Sequence, residues 1–346
     1  MYISSSSFSY RLLSGLLFCL LIACRNEADS NNQYVNKWIG TGLEGRVAPV
    51  ASVPFGMMQI GADTRPYGAG YHYDDPSILG FSHLHKSGGG CADFLDILFM
   101  PLPLNSGMAD EELYSKQYQA VLSHKDEKAE PGYYSVGLYD KQLTVELTAS
   151  RRCGLQRYTY ASEGEIPVIV DLKYGSESAC TIQSEHDVDT VYASAFEWVD
   201  PYTVRGYRCS NGWTPGQQVY FYSTFSSPIK ECVLYVDDRR LEGMTSAEGT
   251  NIKALLTFES NTGELEVRTA LSSVDTQGAA KNLWAETKNK TFDAIREEAA
   301  GKWHDVLGQI EIETTDRKKK ELFYTSLHNV MLYPFLFSDV DHCFRG

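Results

Sequence analysis

From about residue 34 to 275 the sequence is written in short runs of β-branched and aromatic residues, punctuated by Gly, Pro, Asn, Asp and Ser. Runs 133–139, 143–148, 168–172, 218–225, 254–258 and 265–271 are representative. Successive side chains of an extended strand point to opposite faces, so runs of this kind bury one face against a second layer. Many short strands between frequent turn signals predict a mainly β fold: two stacked antiparallel sheets, a β-sandwich. No internal period of repetition is evident.

The pattern changes after residue 275. Phe292, Ile295, Ala299, Trp303, Val306 and Leu307 recur at helical spacing, with Arg296, Glu297, Glu298, Lys302 and Asp305 on the other side. This predicts an amphipathic linker helix within 276–309. A short strand is expected at 310–313. A second helix is expected to start near Asp316, with Leu322, Phe323, Leu327, Val330 and Met331 as its inner stripe, and Pro334 stops or kinks it.

The N-terminus reads as an export signal over 1–23. Arg11 is the only charge before an apolar stretch from Leu12 to Ala23, which is too short for a comfortable membrane span. The stretch ends Leu21-Ile22-Ala23-Cys24, which resembles a bacterial lipobox and implies cleavage before Cys24 and acylation of that residue. Residues 24–33 are polar and read as a flexible tether. The expected location is the bacterial cell envelope, held to the membrane through a lipid anchor, in the periplasm or at the surface. At the other end the sequence stops at Gly346, just after the second patterned helix, which reads as a portion of a longer protein.

A formal charge of −14 is wrong for a nucleic-acid partner, which needs clustered Lys and Arg. It suits an exported protein with neutral substrates. Beyond Cys24 the cysteines are scattered, at 91, 153, 180, 209, 232 and 343, with no CxxC pair to suggest zinc. Their pairing stays open.

Function-bearing residues concentrate in Gly70-Tyr71-His72-Tyr73 and the following Gly80-Phe81-Ser82-His83-Leu84-His85-Lys86-Ser87-Gly88-Gly89-Gly90-Cys91. Glycines permit tight turns and close backbone approach, while His and Tyr carry polar tips on apolar bodies. The combination predicts a binding surface built on loops. Were 82–84 extended, His83 and His85 would share a face. That pair can bond a sugar or a neighbouring domain, or be satisfied internally, and no further His or Cys stands nearby to complete a metal site. Tyr71 and Tyr73 can stack on a pyranose or pack in the core. Asp93 and Asp96 are expected to satisfy loop amides.

These segments resemble glycoside hydrolase family 92, the exo-acting α-mannosidases. The resemblance is carried in order by Trp38-Ile39-Gly40-Thr41-Gly42, Val53-Pro54-Phe55-Gly56-Met57-Met58-Gln59, Asp63-Thr64-Arg65, the two glycine-rich runs, and Asp96-Ile97-Leu98-Phe99-Met100-Pro101. Downstream it includes the segment from Gly278 to Trp303, Phe323-Tyr324-Thr325-Ser326-Leu327 and Phe337-Ser338-Asp339-Val340-Asp341.

The resemblance implies a β-sandwich of the supersandwich kind over 34–275, a linker helix over 276–309, and the start of an (α/α)6 barrel over 310–346. It also implies a calcium-dependent, inverting hydrolysis of terminal α-mannosides in mannose-containing glycans. In the family the catalytic acid and base and most groups around calcium come later in the barrel, so no catalytic carboxylate and no metal ligand is assigned here. Tyr71, His72, His83, His85 and Ser87 are the expected substrate-binding residues. Arg65, Asp339 and Asp341 are expected at the domain interface, Arg65 forking onto a carboxylate and the two aspartates capping or orienting their loop. Residues 43–48 lack the histidines many members carry there, and 66–69 lack the Trp-bearing insert of many α-1,2-acting members, so linkage is not implied. A non-catalytic carbohydrate-binding lipoprotein is the alternative.

Overall fold

The computed structural model describes residues 30–89, 93–106, 118–175 and 188–346. The signal segment, Cys24, Cys91 and Cys180 lie outside these residues. Among the described residues the strands form two main sheets. One has seven strands in the order Gly61–Asp63, Gly80–Ser82, Leu98–Pro101, Gly164–Asp171, Ile252–Ser260, Ile229–Val236, Arg239–Leu241. The other has nine, in the order Ser246–Gly249, Thr190–Asp200, Thr203–Asn211, Gln217–Phe225, Glu264–Ser272, Cys153–Tyr160, Leu143–Ala149, Tyr133–Leu138, Glu127–Glu130. Every paired strand runs antiparallel to its neighbour.

The alternation read in the sequence becomes the sandwich core. In Gln217–Phe225, Val219, Phe221, Ser223 and Phe225 are buried while Gln218, Tyr220, Tyr222 and Thr224 are half-buried on the other side. Phe81, Phe99, Phe196 and Phe258 are fully buried in the same core. Each such ring removed from water contributes roughly 2–3 kcal/mol.

The outer face of the larger sheet is covered on one half by helices. The segment expected as one linker helix is two, α1 (Thr276–Thr287) and α2 (Phe292–Leu307). Each has its own N-cap: Asp275 accepts from Gly278 N at 2.6 Å and Thr291 from Ala294 N at 3.2 Å. Leu283 of α1 packs with Cys153 and Ala270, and Phe292 and Ile295 of α2 pack with Tyr133 and Leu155. Residues 24–29 of the expected tether lie outside the described residues, and its end is docked. Residues 31–34 form a helical turn, and Asn31 and Asn32 donate to Leu307 O at 3.3 Å and Ala300 O at 2.9 Å.

Two local expectations fail, the second in part. Residues 310–313 carry no strand pairing. In α3 (Arg317–Val330) the stripe holds only in part: Phe323, Leu327 and Met331 are half-buried against the core, Leu322 and Val330 are exposed, and the fully buried side is Tyr324, Thr325 and His328. The helix is rotated from its apolar stripe by tertiary partners: Tyr324 stacks on Tyr34, His328 stacks on Trp303, and Thr325 Oγ1 accepts from Asn36 N at 2.8 Å. Asp316 caps α3 as its position suggested. No helix among the described residues is long and apolar enough to cross a membrane.

Candidate functional site

Three loops carry the sequence motifs, and backbone bonds tie them together. Tyr73 N donates to Thr41 O at 3.0 Å, Gly88 N to Arg46 O at 2.6 Å, and Gln59 N to His83 O at 3.3 Å. Glycine is required at 70: its φ is +83°, and a Cβ there would meet Leu95 at 2.6 Å and Asp63 Oδ1 at 2.7 Å.

The expected contact residues divide by exposure. Tyr71 is buried and its hydroxyl donates to Glu127 at 2.9 Å. Burial, then the Glu127 charge, pushes that phenol up, so it stays a donor. Tyr134 also donates to Glu127, and His124 joins Glu127 at 2.6 Å while its ring stacks on Tyr73 at 3.9 Å. His83 and His85 are sealed. The strand ends at Ser82, so the alternation does not run through to His85. His83 Nδ1 donates to Ile97 O at 2.6 Å and its Nε2 accepts from Gln156 at 3.2 Å. Burial pulls His83 down to about 4, which agrees with a neutral ring between those partners. His85 Nδ1 donates to Gln59 O at 2.9 Å, and its Nε2 lies 3.4 Å from Asp63. Ser87 is buried and accepts from Ala48 N at 3.1 Å. His72 is half-buried, with Tyr73 exposed beside it. Of the five expected contacts, only His72 presents surface; the other four hold the loops.

Arg65 does not reach the helices. It forks onto Asp75, ten residues on, and Thr64 Oγ1 donates to the same carboxylate at 2.7 Å. Asp93 satisfies an amide as expected, but of a distant turn: it accepts from Thr214 N and Oγ1, both at 2.9 Å. Asp96 does something else. Together with Asp189 it flanks Arg208, all three fully buried, and it accepts from Gln217 at 2.7 Å. Burial, and the second carboxylate, push Asp96 up to about 6 against the pull of Arg208.

The C-terminal segment is clamped onto this assembly. Asp339 is buried and accepts from Ser272 Oγ and Asn282 Nδ2, both at 2.7 Å. Arg152 donates to Ser338 O at 2.7 Å and pairs with Glu286 of α1 at 2.7 Å. A Cβ at Gly278 would meet Asp339 Oδ2 at 2.2 Å, so the carboxylate lies directly on α1. Asp341 pairs with Lys281 at 2.7 Å, and that bond holds its carboxyl down at about 2. Between the sandwich and this segment lies a cleft of about 520 Å³, lined by Leu84, Phe94, Gln217, Phe335, Phe337 and Arg345 among others. The glycine-rich run, the turn at 214–217 and the non-helical segment after α3 thus meet around one concavity.

Glu127, His124, Arg208, Asp189, Arg152 and Asn282 were not picked out from sequence. Each acts on a partner distant along the chain or set by the fold, and none stands in a motif. Calcium needs several oxygen ligands. Among the described residues no group of three or more His, Cys, Asp or Glu side chains is placed to hold a metal, and the aspartates nearest the cleft are engaged by Ser272, Asn282 and Lys281. The described residues therefore do not make a calcium cage. Cys153, Cys209, Cys232 and Cys343 are free thiols.

Comparison with known proteins gives a consistent picture. Residues 34–272 match the model of the glycosyl hydrolase family 92 N-terminal domain, and residues 278–345 match that of the family 92 catalytic domain. A solved family GH92 α-mannosidase from Bacteroides thetaiotaomicron is 33% identical over 92% of this chain and 43% of its own, with a TM-score of 0.81. An inverting mannosidase of the same family and organism is 25% identical over 91% of this chain and 41% of its own, with a TM-score of 0.75. An uncharacterized secreted glycosidase of Arthroderma benhamiae is 26% identical over 87% of this chain. The chain spans 41% of the length of that curated relative.

Proposed function

The chain belongs to glycoside hydrolase family 92, and from that premise we propose that the protein hydrolyses terminal α-mannosides of glycans with inversion at the anomeric carbon. The observation that carries this is the likeness to α-mannosidases, which covers 92% and 91% of this chain and includes both the sandwich and the helical segment. Inversion requires an acid that protonates the departing oxygen and a base that activates water, with carboxyl groups roughly 6.5–9.5 Å apart. Asp339 and Asp341 are committed to orienting their loop, so the proton-transfer pair is sought outside the described residues. The part played here is one wall of the sugar cleft. His72, with the ring of Tyr73 beside it, offers contact to sugar. Tyr71, His83, His85 and Ser87 position the loops that carry them, and Arg65 stiffens the same loop through Asp75.

Family resemblance also implies calcium, which when bound would engage sugar hydroxyls. Acylation at Cys24 and residence at the envelope remain part of the proposal, supported by the lipobox-like segment and by a relative described as secreted.

The test is release of mannose from α-1,2, α-1,3, α-1,4 and α-1,6 disaccharides by the intact gene product, with and without a chelator, the first-formed anomer being read by NMR. β-Mannose from at least one linkage is expected. Absence of release from all four, or α-mannose as first product, overturns the reading. Residues 24–346 alone are expected to hydrolyse none of the four.

A further inference from the structure

The loop that carries His72 and Tyr73 is closed from the other side by His124, which lies on a single helical turn, His124–Asp126. Each ring nitrogen of His124 meets an oxygen. Nδ1 is 2.6 Å from Glu127 Oε2, and Nε2 is 2.5 Å from the backbone oxygen of Tyr73. The two histidines of this corner differ in what they face. His72 Nδ1 accepts from Asp74 N at 3.2 Å and its Nε2 donates to Leu43 O at 3.2 Å, so one ring proton is enough. At His124 both partners, a carboxylate and a carbonyl, can only accept. One ring proton cannot serve both.

Glu127 does not lift that difficulty. Its side chain is 0% exposed, and its oxygens accept from the Tyr71 hydroxyl at 2.9 and 3.0 Å and from the Tyr134 hydroxyl at 2.6 Å. Burial, then the Glu127 charge, pushes both phenols up, so they stay neutral donors. A carboxylate enclosed in this way needs a cation, and among the described residues the ion pair it makes is with His124. The other charges at this corner have partners of their own or lie in water. On the loop, Asp75 is forked by Arg65, and the exposed Asp74 lies 3.8 Å from His72 Nδ1. On the turn of His124, Lys125 is exposed, and the exposed Asp126 accepts from Tyr139.

We propose that His124 is a positioning residue held as an imidazolium, a proton-operated latch that fixes Tyr73 and, with it, the His72–Tyr73 surface offered to sugar. The role of that surface rests on the function proposed above; the latch itself rests on the bonds just described. When the ring gives a proton to water, the remaining N–H stays with the carboxylate, the stronger acceptor. Nε2 then turns a lone pair toward the Tyr73 oxygen, and attraction becomes repulsion. Tyr73 keeps its amide bond to Thr41 O at 3.0 Å and its ring contacts with His124 and Trp38. Replacing the carboxylate by an amide removes the need for charge. In Glu127→Gln the new amide N–H can donate to Nδ1 of a neutral ring, whose Nε2–H still serves Tyr73.

The test is hydrogen exchange of the Tyr73 amide in the intact protein without substrate, read by mass spectrometry from about pH 5 to about pH 9, which spans the range where imidazoles ordinarily change charge. Protection is corrected for intrinsic exchange and referred to the buried strand 98–101. In the wild-type protein it is expected to fall about tenfold across that range, the worth of one charge-assisted bond. His124→Gln, with one donor nitrogen for two acceptors, is expected to lack that protection at both ends. Glu127→Gln is expected to keep it at the alkaline end. Wild-type protection that does not change with pH overturns the inference, and that measurement needs no variant to fold. So does an alkaline loss in Glu127→Gln equal to that of wild type. In mannose release His124→Gln is expected to raise KM more than it lowers kcat, and the opposite split overturns the positioning role. Absence of mannose release with the exchange pattern intact strikes the catalytic reading alone. Release with exchange indifferent to pH strikes this inference alone.

Discussion

Arg205 and Arg208 sit three residues apart on one strand, each paired with carboxylate, and they live in different solvents. Arg205 faces outward, 38% exposed, and meets Glu197 on the adjoining strand, itself 43% exposed. Arg208 faces inward at 0% exposure, between Asp96 and Asp189. It also donates to Leu172 O at 3.1 Å and Ser210 Oγ at 3.0 Å. The outer pair belongs to the sheet and is made between neighbours. The inner group joins the sheet to the loops that build the cleft. A charge in water is cheap to hold and contributes little, whereas a charge out of water must be fully partnered or the structure fails. The cleft wall is therefore fixed by buried polar groups, and the sheet beneath it by apolar alternation.

The largest expected effect tests the inner side. Arg208→Met leaves two buried carboxylates without their cation and is expected to cost roughly 3–5 kcal/mol in urea unfolding. The loss should come with freed motion of residues 93–96 in hydrogen exchange. A loss under 1 kcal/mol would mean that the triad is not what joins loop to sheet.

The next effect is one of pH, and two groups of the same wall oppose each other. His83 is held down at about 4 from an ordinary 6.5. Between those values the unfolded chain binds the proton and the folded one does not, so stability rises with pH across that window and is lost on acidification, by about 3 kcal/mol in full. Asp96 is pushed up from 3.8 to about 6, so there the folded form holds the extra proton and stability falls as pH rises through the window. In the wild-type profile between pH 4 and 6 the two slopes oppose each other. His83→Gln should expose the falling slope and Asp96→Asn the rising one, read from urea midpoints at half-unit pH steps. Parallel profiles in all three proteins would remove both groups from the account.

The same division explains what was legible beforehand. Strands such as Gln217–Phe225 and Glu264–Ser272 announce themselves because burial on one face writes a period of two into the sequence itself. The start of α3 could be placed because an N-cap acts on amides two and three residues away. The cleft wall was legible only as composition, a crowding of Gly, His and Tyr. Its chemistry depends on partners such as Asp96 and Arg208, which are 112 residues apart, and Tyr71 and Glu127, which are 56 apart. His83 illustrates the cost of that distance. Its neighbours in sequence leave open a bond to sugar, to a neighbouring domain or within the fold, and only the fold supplies Ile97 O and Gln156 to occupy both nitrogens. The α3 stripe held only in part for the same reason, since Tyr34 and Trp303 decide which side turns furthest inward.

The smallest expected effect closes the comparison on the outer side. A double-mutant cycle on Arg205→Met and Glu197→Gln isolates their pair, and its coupling is expected at about 0.5 kcal/mol, falling further at 1 M salt. Screening should reach it because both side chains are exposed, and should leave the Arg208 group almost unchanged. A coupling of several kcal/mol, insensitive to salt, would mean that this face is shielded from water as the core is. The tyrosines around Arg205 would then be covered by protein.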